Sequence, residues 1–207
     1  MSEQTGNSIT QEDSLLLQCW ASTGLIERLS CCNFFSSELY SKLSLSELQR
    51  WTLQNSGIGN PAMLQMMLYA LLVIPKEVSD RNSEEYKHIQ IIFNDTAIKI
   101  AEDGTTSTYN KEDNIRKIDY YRHIRNALSH SRCKYILCDG VPYVLFEDEC
   151  GGKHCLIRMR CNNVGILLNE LSKALESYFI SKFNIRVIQG QPADDMQNDK
   201  HKETTNA

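Results

Sequence analysis

Apolar residues recur along most of this chain at three- and four-residue intervals, and in one late stretch they alternate instead. From about Thr10 to Leu29, residues Leu15, Leu16, Cys19, Trp20, Leu25 and Ile26 keep roughly helical spacing, which predicts a helix weakened in its middle by Gly24. Ser44 is a predicted N-cap for a short second helix, with Glu47 completing a capping box three positions on. Gly57-Ile58-Gly59 breaks the chain, and Pro61 suits the first turn of the next helix. That helix carries Met63, Leu64, Met66, Met67, Leu68, Leu71, Leu72 and Ile74, apolar nearly all round, and is the expected centre of the core. Ser83 to Ala101 reads as a further helix ended by Gly104, and helix resumes from Lys111 to about Ser131.

The period then changes. Tyr135 to Cys138 runs into Asp139-Gly140, a two-residue hairpin signal, and Val141 to Glu147 follows as a second strand with Pro142 at its start. Cys150-Gly151-Gly152-Lys153 forms another turn before a third strand, Cys155 to Cys161. A last amphipathic helix, about Val164 to Phe183, presents Leu167, Leu168, Leu171, Ala174, Leu175, Tyr178 and Phe179 as one stripe. The expected fold is therefore mainly α, a helical bundle with a small three-stranded antiparallel meander, residues 134–161, inserted before the final helix. Residues 1–58 read as a helical extension packed on a core domain of residues 59–189. Residues 190–207 are polar, without apolar periodicity, and read as a disordered tail.

Composition narrows the class. At 42 % hydrophobic residues the chain can bury a real core, and a net charge of −4 argues against coating nucleic acid by bulk charge. The polar start lacks a basic segment followed by an apolar run, and the apolar stretch from Met63 to Pro75 is interrupted by Gln65 and short of the ~20 residues of a membrane span. These features predict a cytoplasmic protein with no membrane partner. The eight cysteines are then expected as free thiols. Cys133, Cys138, Cys150, His154, Cys155 and Cys161 invite a zinc reading, but they contain no Cys-x2-Cys pair, and Cys133 and Cys138 would face opposite sides of one strand. No metal or other cofactor is expected. A cysteine nucleophile using His154 fails because adjacent residues of a strand point apart.

Charge is concentrated in one place. Arg116, Lys117, Arg122, Arg125, Arg132 and Lys134, with His123 and His130, are opposed only by Asp119. A charge run alone is most often a solvated helix face. On an acidic chain it is also a local field that attracts phosphate.

Within it lies Arg125-Asn126-Ala127-Leu128-Ser129-His130. An arginine followed by a polar residue, small and apolar residues and then histidine resembles the motif of the HEPN superfamily, and the layout from about Gly59 to Phe183 is similar too. HEPN domains are helical bundles that pair as dimers, and many are metal-independent ribonucleases of prokaryotic toxin and antiviral systems. The resemblance implies an endoribonuclease with Arg125, Asn126 and His130 as its catalytic set, and RNA contacts from Arg122, His123, Arg132 and Lys134. It further implies a homodimer through the helix bearing Arg125 to His130, with an antitoxin or defence-system component as a further partner. One branch of the family, paired with nucleotidyltransferase antitoxins, often has tyrosine two positions after the histidine. Arg132 stands there instead, which puts control by modifying that tyrosine in doubt.

The residue types suit the chemistry independently. Attack of a ribose 2′-oxygen on its phosphate needs a base, an acid and a cation. Histidine titrates near neutral pH, and arginine is a planar, permanent cation matched to phosphate. Asn126 and His130, four apart, share a helix face, whereas Arg125 and His130 differ by about 140° around the axis. Either Arg125 swings round as the helix ends, or a second copy completes the site. Alternatively, His130 simply suits the negative end of a helix dipole and Arg125 a surface ion pair, and the chain is a non-catalytic HEPN module that binds RNA or a protein.

Overall fold

The computed structural model describes residues 10–75, 84–109 and 117–183. Helix α1, Gln11–Cys31, begins at a capping box in which Thr10 and Asp13 satisfy each other's backbone N–H groups. Gly24 is accommodated within it. A short α2, Glu38–Lys42, follows a 3-10 turn; neither stood out in the sequence, because five residues are too few to show a helical period. Helix α3, Glu47–Ser56, is capped by Ser46 and Gln49 rather than by Ser44 and Glu47. The same box chemistry fits both registers, and the one two residues on is used.

Asn60 caps α4, Pro61–Leu68, with Pro61 in its first turn as expected, and the chain continues through a π-helical segment, Tyr69–Val73. This helix is less uniformly central than its composition predicts. Leu68, Leu71, Leu72 and Val73 are buried, but Met66 is 64 % exposed. Helix α5 spans Glu84–Ile100. Helix α6, Tyr120–Ser129, is shorter than the predicted segment from Lys111: residues 110–116 lie outside the described residues, and Ile118 and Asp119 are not helical. Asp119 is the N-cap, its side chain accepting from the Arg122 backbone N–H.

The sheet has four strands rather than three. Strands β2 (Cys133–Cys138), β3 (Val141–Cys150) and β4 (Lys153–Arg160) form the expected antiparallel meander, turning at Asp139-Gly140 and Gly151-Gly152. The addition is β1, Thr106–Ser107, paired antiparallel with Leu156 and Cys155, so the order is β1-β4-β3-β2. Two residues cannot display alternation, which is why β1 escapes a reading by pattern. Helix α7, Cys161–Phe183, starts directly after β4, so Cys161 is helical rather than the end of a strand. The expected tail, 190–207, lies outside the described residues.

One apolar cluster joins these elements. Leu16 of α1, Leu68 and Leu72 of the α4 segment, Phe93 of α5, Ile124 of α6, Phe146 and Ile157 of the sheet, and Leu167 and Leu171 of α7 belong to it. Helix α6 is sandwiched between α5 and β3, with Tyr120, Tyr121, His123, Ile124, Ala127 and Leu128 all buried. Among the described residues no single helix is long and apolar enough to cross a membrane.

Candidate functional site

The final turn of α6 closes in a way that presents His130. Its backbone N–H bonds back to Asn126, and the next residue, Ser131, takes a left-handed conformation (φ 54°). The Ser131 N–H then donates to the Leu128 carbonyl and the Arg132 N–H to the Ala127 carbonyl. This is a Schellman closure, with serine in the position that glycine usually occupies. It reverses the chain into β2 and leaves His130 exposed at the helix end. The imidazole has no side-chain hydrogen bond among the described residues.

Arg125 does not swing toward His130. Its Nη2 donates to Asn126 Oδ1 at 2.8 Å, and Asn126 Nδ2 donates to Asp148 Oδ2 at 3.1 Å. The same carboxylate oxygen lies 2.6 Å from His123 Nδ1, with the ring N–H donating. Asp148 and His123 are 3 % and 4 % exposed, so this is a buried polar chain from strand β3 into helix α6. Arg125 Nε is buried and finds no partner among the described residues. A buried guanidinium N–H without an acceptor is unusual in a folded protein.

Asp148 went unassigned in the sequence, although a signal was available. On β3 the buried phase runs Val144, Phe146, Asp148, so a carboxylate takes the third place in an apolar series. A charged side chain on the core face of a strand demands a partner. Tyr109 and Lys153 also went unassigned: the Tyr109 ring packs 4.6 Å from that of His123, and the amine of Lys153, the first residue of β4, lies 6.0 Å from the Tyr109 ring centre.

The other basic residues divide. Arg122 is exposed at the N-terminal end of α6, its guanidinium 5.6 Å from the Tyr109 ring centre. Arg132 donates to the Glu149 carbonyl, and Lys134 is paired with Glu147 at 2.8 Å. The structure thus groups Arg125, Asn126 and His123 around Asp148, sets His130 and Arg132 at the turn that follows, and commits Lys134 to an ion pair.

All eight cysteines stand as free thiols, and no group of three or more His, Cys, Asp or Glu side chains among the described residues is placed to hold a metal. Burial pushes the Cys133 thiol up to about 12. It also raises that of Cys155 to about 11, with Asp148 adding to the rise and a hydrogen bond to Ser107 opposing it. Neither is a thiolate near neutral pH.

Fold and motif together define a class: a mainly helical bundle that presents an arginine–asparagine–histidine stretch at the end of a central helix, braced by an antiparallel sheet. A family model described as HEPN pEK499 p136 matches residues 11–182, and the chain belongs to this HEPN family. The matched span takes in α1 to α3 as well as the bundle that follows. No curated protein and no solved structure gives a significant match.

Proposed function

We propose that the protein is an endoribonuclease that cleaves RNA by 2′-oxygen attack without a metal, in a toxin or antiviral defence role. Membership of a HEPN family supports an RNA-directed activity. The observation that carries the catalytic reading is the chain Asp148–Asn126–Arg125, which holds a cation in place one turn from the solvent-facing His130. Neutral imidazole removes the 2′-hydroxyl proton as the 2′-oxygen bonds to phosphorus. The bond to the 5′-oxygen breaks, and that oxygen takes a proton from an imidazolium. Arg125 stabilises the negative charge that builds on the phosphoryl oxygens. The products are a 2′,3′-cyclic phosphate and a 5′-hydroxyl end. Two histidines in opposite protonation states are needed at once, and a second copy of the chain supplies the second His130.

The test is cleavage of a mixed-sequence RNA by wild type and by His130→Ala and Arg125→Ala proteins. His130→Ala is expected to lose at least ~10²-fold in rate while folding normally, with chelators leaving the wild-type rate unchanged. Undiminished cleavage by a folded His130→Ala protein removes the assignment. A second reading, a non-catalytic module that binds RNA or a protein, is favoured by one feature: within one chain Arg125 turns to Asn126 and not to His130. Binding of RNA without cleavage by wild type supports that alternative.

A further inference from the structure

The N-terminal end of α6 borders a cleft of about 400 Å³, lined by Tyr109, Lys117, Asp119, Arg122, His123 and Lys153. Its volume is that of a small-ligand site. Cys150 and Gly151 complete the lining, and three of its eight residues are cations. Arg122 and Lys153 are exposed and have no carboxylate partner among the described residues; they rest 5.6 and 6.0 Å from the centre of the Tyr109 ring. The single lining carboxylate, Asp119, is turned onto the Arg122 backbone N–H at 3.1 Å and onto Asn94 Nδ2 at 3.4 Å.

Two lining residues keep a polar atom without a partner. His123 is 96 % buried (4 % exposed) and commits Nδ1 to Asp148, which fixes the ring and leaves Nε2 with no hydrogen bond among the described residues. The Tyr109 hydroxyl is buried and likewise unpartnered. Buried polar atoms are ordinarily satisfied, so a site that withholds a partner from the Tyr109 hydroxyl, beside an uncommitted imidazole nitrogen, suits a polar ligand. Aromatic face, flexible unpaired cations and an oriented imidazole make up the recognition set for a base joined to a phosphate.

We propose that this cleft binds a nucleoside phosphate, with Arg122 and Lys153 moving off the Tyr109 ring onto the phosphate, the base taking their place against the ring, and His123 Nε2 meeting the base edge. The inference rests on the RNA reading above for its choice of ligand, and it adds to that reading a subsite away from the cleaved bond. His123 and His130 are seven residues apart, about 10 Å along the axis and only about 20° around it.

The experiment measures binding by calorimetry with two probes. One is the set of four 5′-mononucleotides; the other is a single-stranded 2′-O-methyl RNA decamer, which 2′-oxygen attack cannot cut. Any failure of the cleavage proposal therefore leaves this result untouched. The variants are Arg122→Ala, Lys153→Ala and their double, all at exposed positions, with circular dichroism to confirm folding. The expected result is roughly tenfold weaker binding per lost contact. The salt dependence of decamer binding should also flatten by about 0.7 per cation removed. Weakened mononucleotide binding identifies a free nucleotide as a ligand of the cleft, and weakening confined to the decamer identifies one nucleotide of a strand; either supports the proposal. His123→Gln, which keeps a polar edge, should alter the ranking of the four bases. A wild type that binds neither probe, or a double variant that binds both as tightly as wild type, overturns it.

Discussion

Asp148 does two things with one oxygen. It accepts from His123 and from Asn126, and through Asn126 it fixes the guanidinium of Arg125. Removing it strands one buried donor on His123 and one half-buried donor on Asn126, and an unsatisfied buried donor costs about 1–3 kcal/mol. Asp148→Ala is therefore expected to lower stability by about 3 kcal/mol, read as a shift of the urea midpoint; a loss below about 1 kcal/mol would mean that the buried chain is not maintained in solution. Asn126→Ala makes a gentler probe, since it cuts the link to Arg125 while leaving the His123–Asp148 pair intact. The sequence reading placed Arg125, Asn126 and His130 together because they are close along the chain. Asp148 is 22 residues beyond Asn126, and only the register of β3 on α6 brings them into contact. Periodicity within one element carries no such information, although the misplaced charge on the β3 core face announced that some partner existed.

At the scale of elements, the first helix is tied to the last. Lys182 of α7 donates to Asp13 of α1, and the Trp20 indole N–H donates to the Ser172 carbonyl at 3.0 Å. Burial alone would raise the Asp13 carboxyl, but hydrogen bonds from Lys182 and Thr10 bring it below its ordinary 3.8. Burial alone would lower the Lys182 amine, and its bonds to Asp13 and Tyr178 bring it above its ordinary 10.5. A carboxyl depressed in the native state stabilises folding above pH 3.8 and loses that contribution as pH falls through its native value. An amine raised in the native state stabilises below pH 10.5 and loses its share as pH rises through its native value. The stability difference between wild type and Lys182→Met, from urea midpoints, should be largest near neutral pH and shrink towards both extremes. A difference independent of pH would show that the pair acts only by packing. Lys182 was legible as nothing more than a charge near the end of an amphipathic stripe. The helices themselves could be read because each carries several turns of periodic apolar residues. The two-residue β1 and the five-residue α2 could not.

For the whole molecule, the question is how many copies make a site. Most of α6 is buried within one chain; of residues 120–130 only Arg122, Ser129 and His130 are exposed. A pairing that uses this helix therefore meets at its C-terminal end, where His130, Ser131 and Arg132 project. Light scattering is expected to find a particle of twice the monomer mass. Mixing His130→Ala protein into wild type should lower cleavage by more than dilution alone, because a mixed pair holds one His130 where the reaction needs two. A strictly monomeric protein, with and without RNA, removes the composite-site argument. The class of fold was readable from the motif and the element order, since both are written locally. The number of copies is not, because a single chain contains no record of the surface that a second one would cover.

The brace on Arg125 also has a consequence for synthesis. Asn126 and His123 leave the ribosome before Asp148, which follows 22 and 25 residues behind them, and β3 needs β4 beside it to complete its ladder. During translation the nascent chain thus displays the motif before anything holds the guanidinium in place. The order of synthesis is thus also an order of assembly: the motif helix is made first, and the β3 carboxylate that fixes it follows.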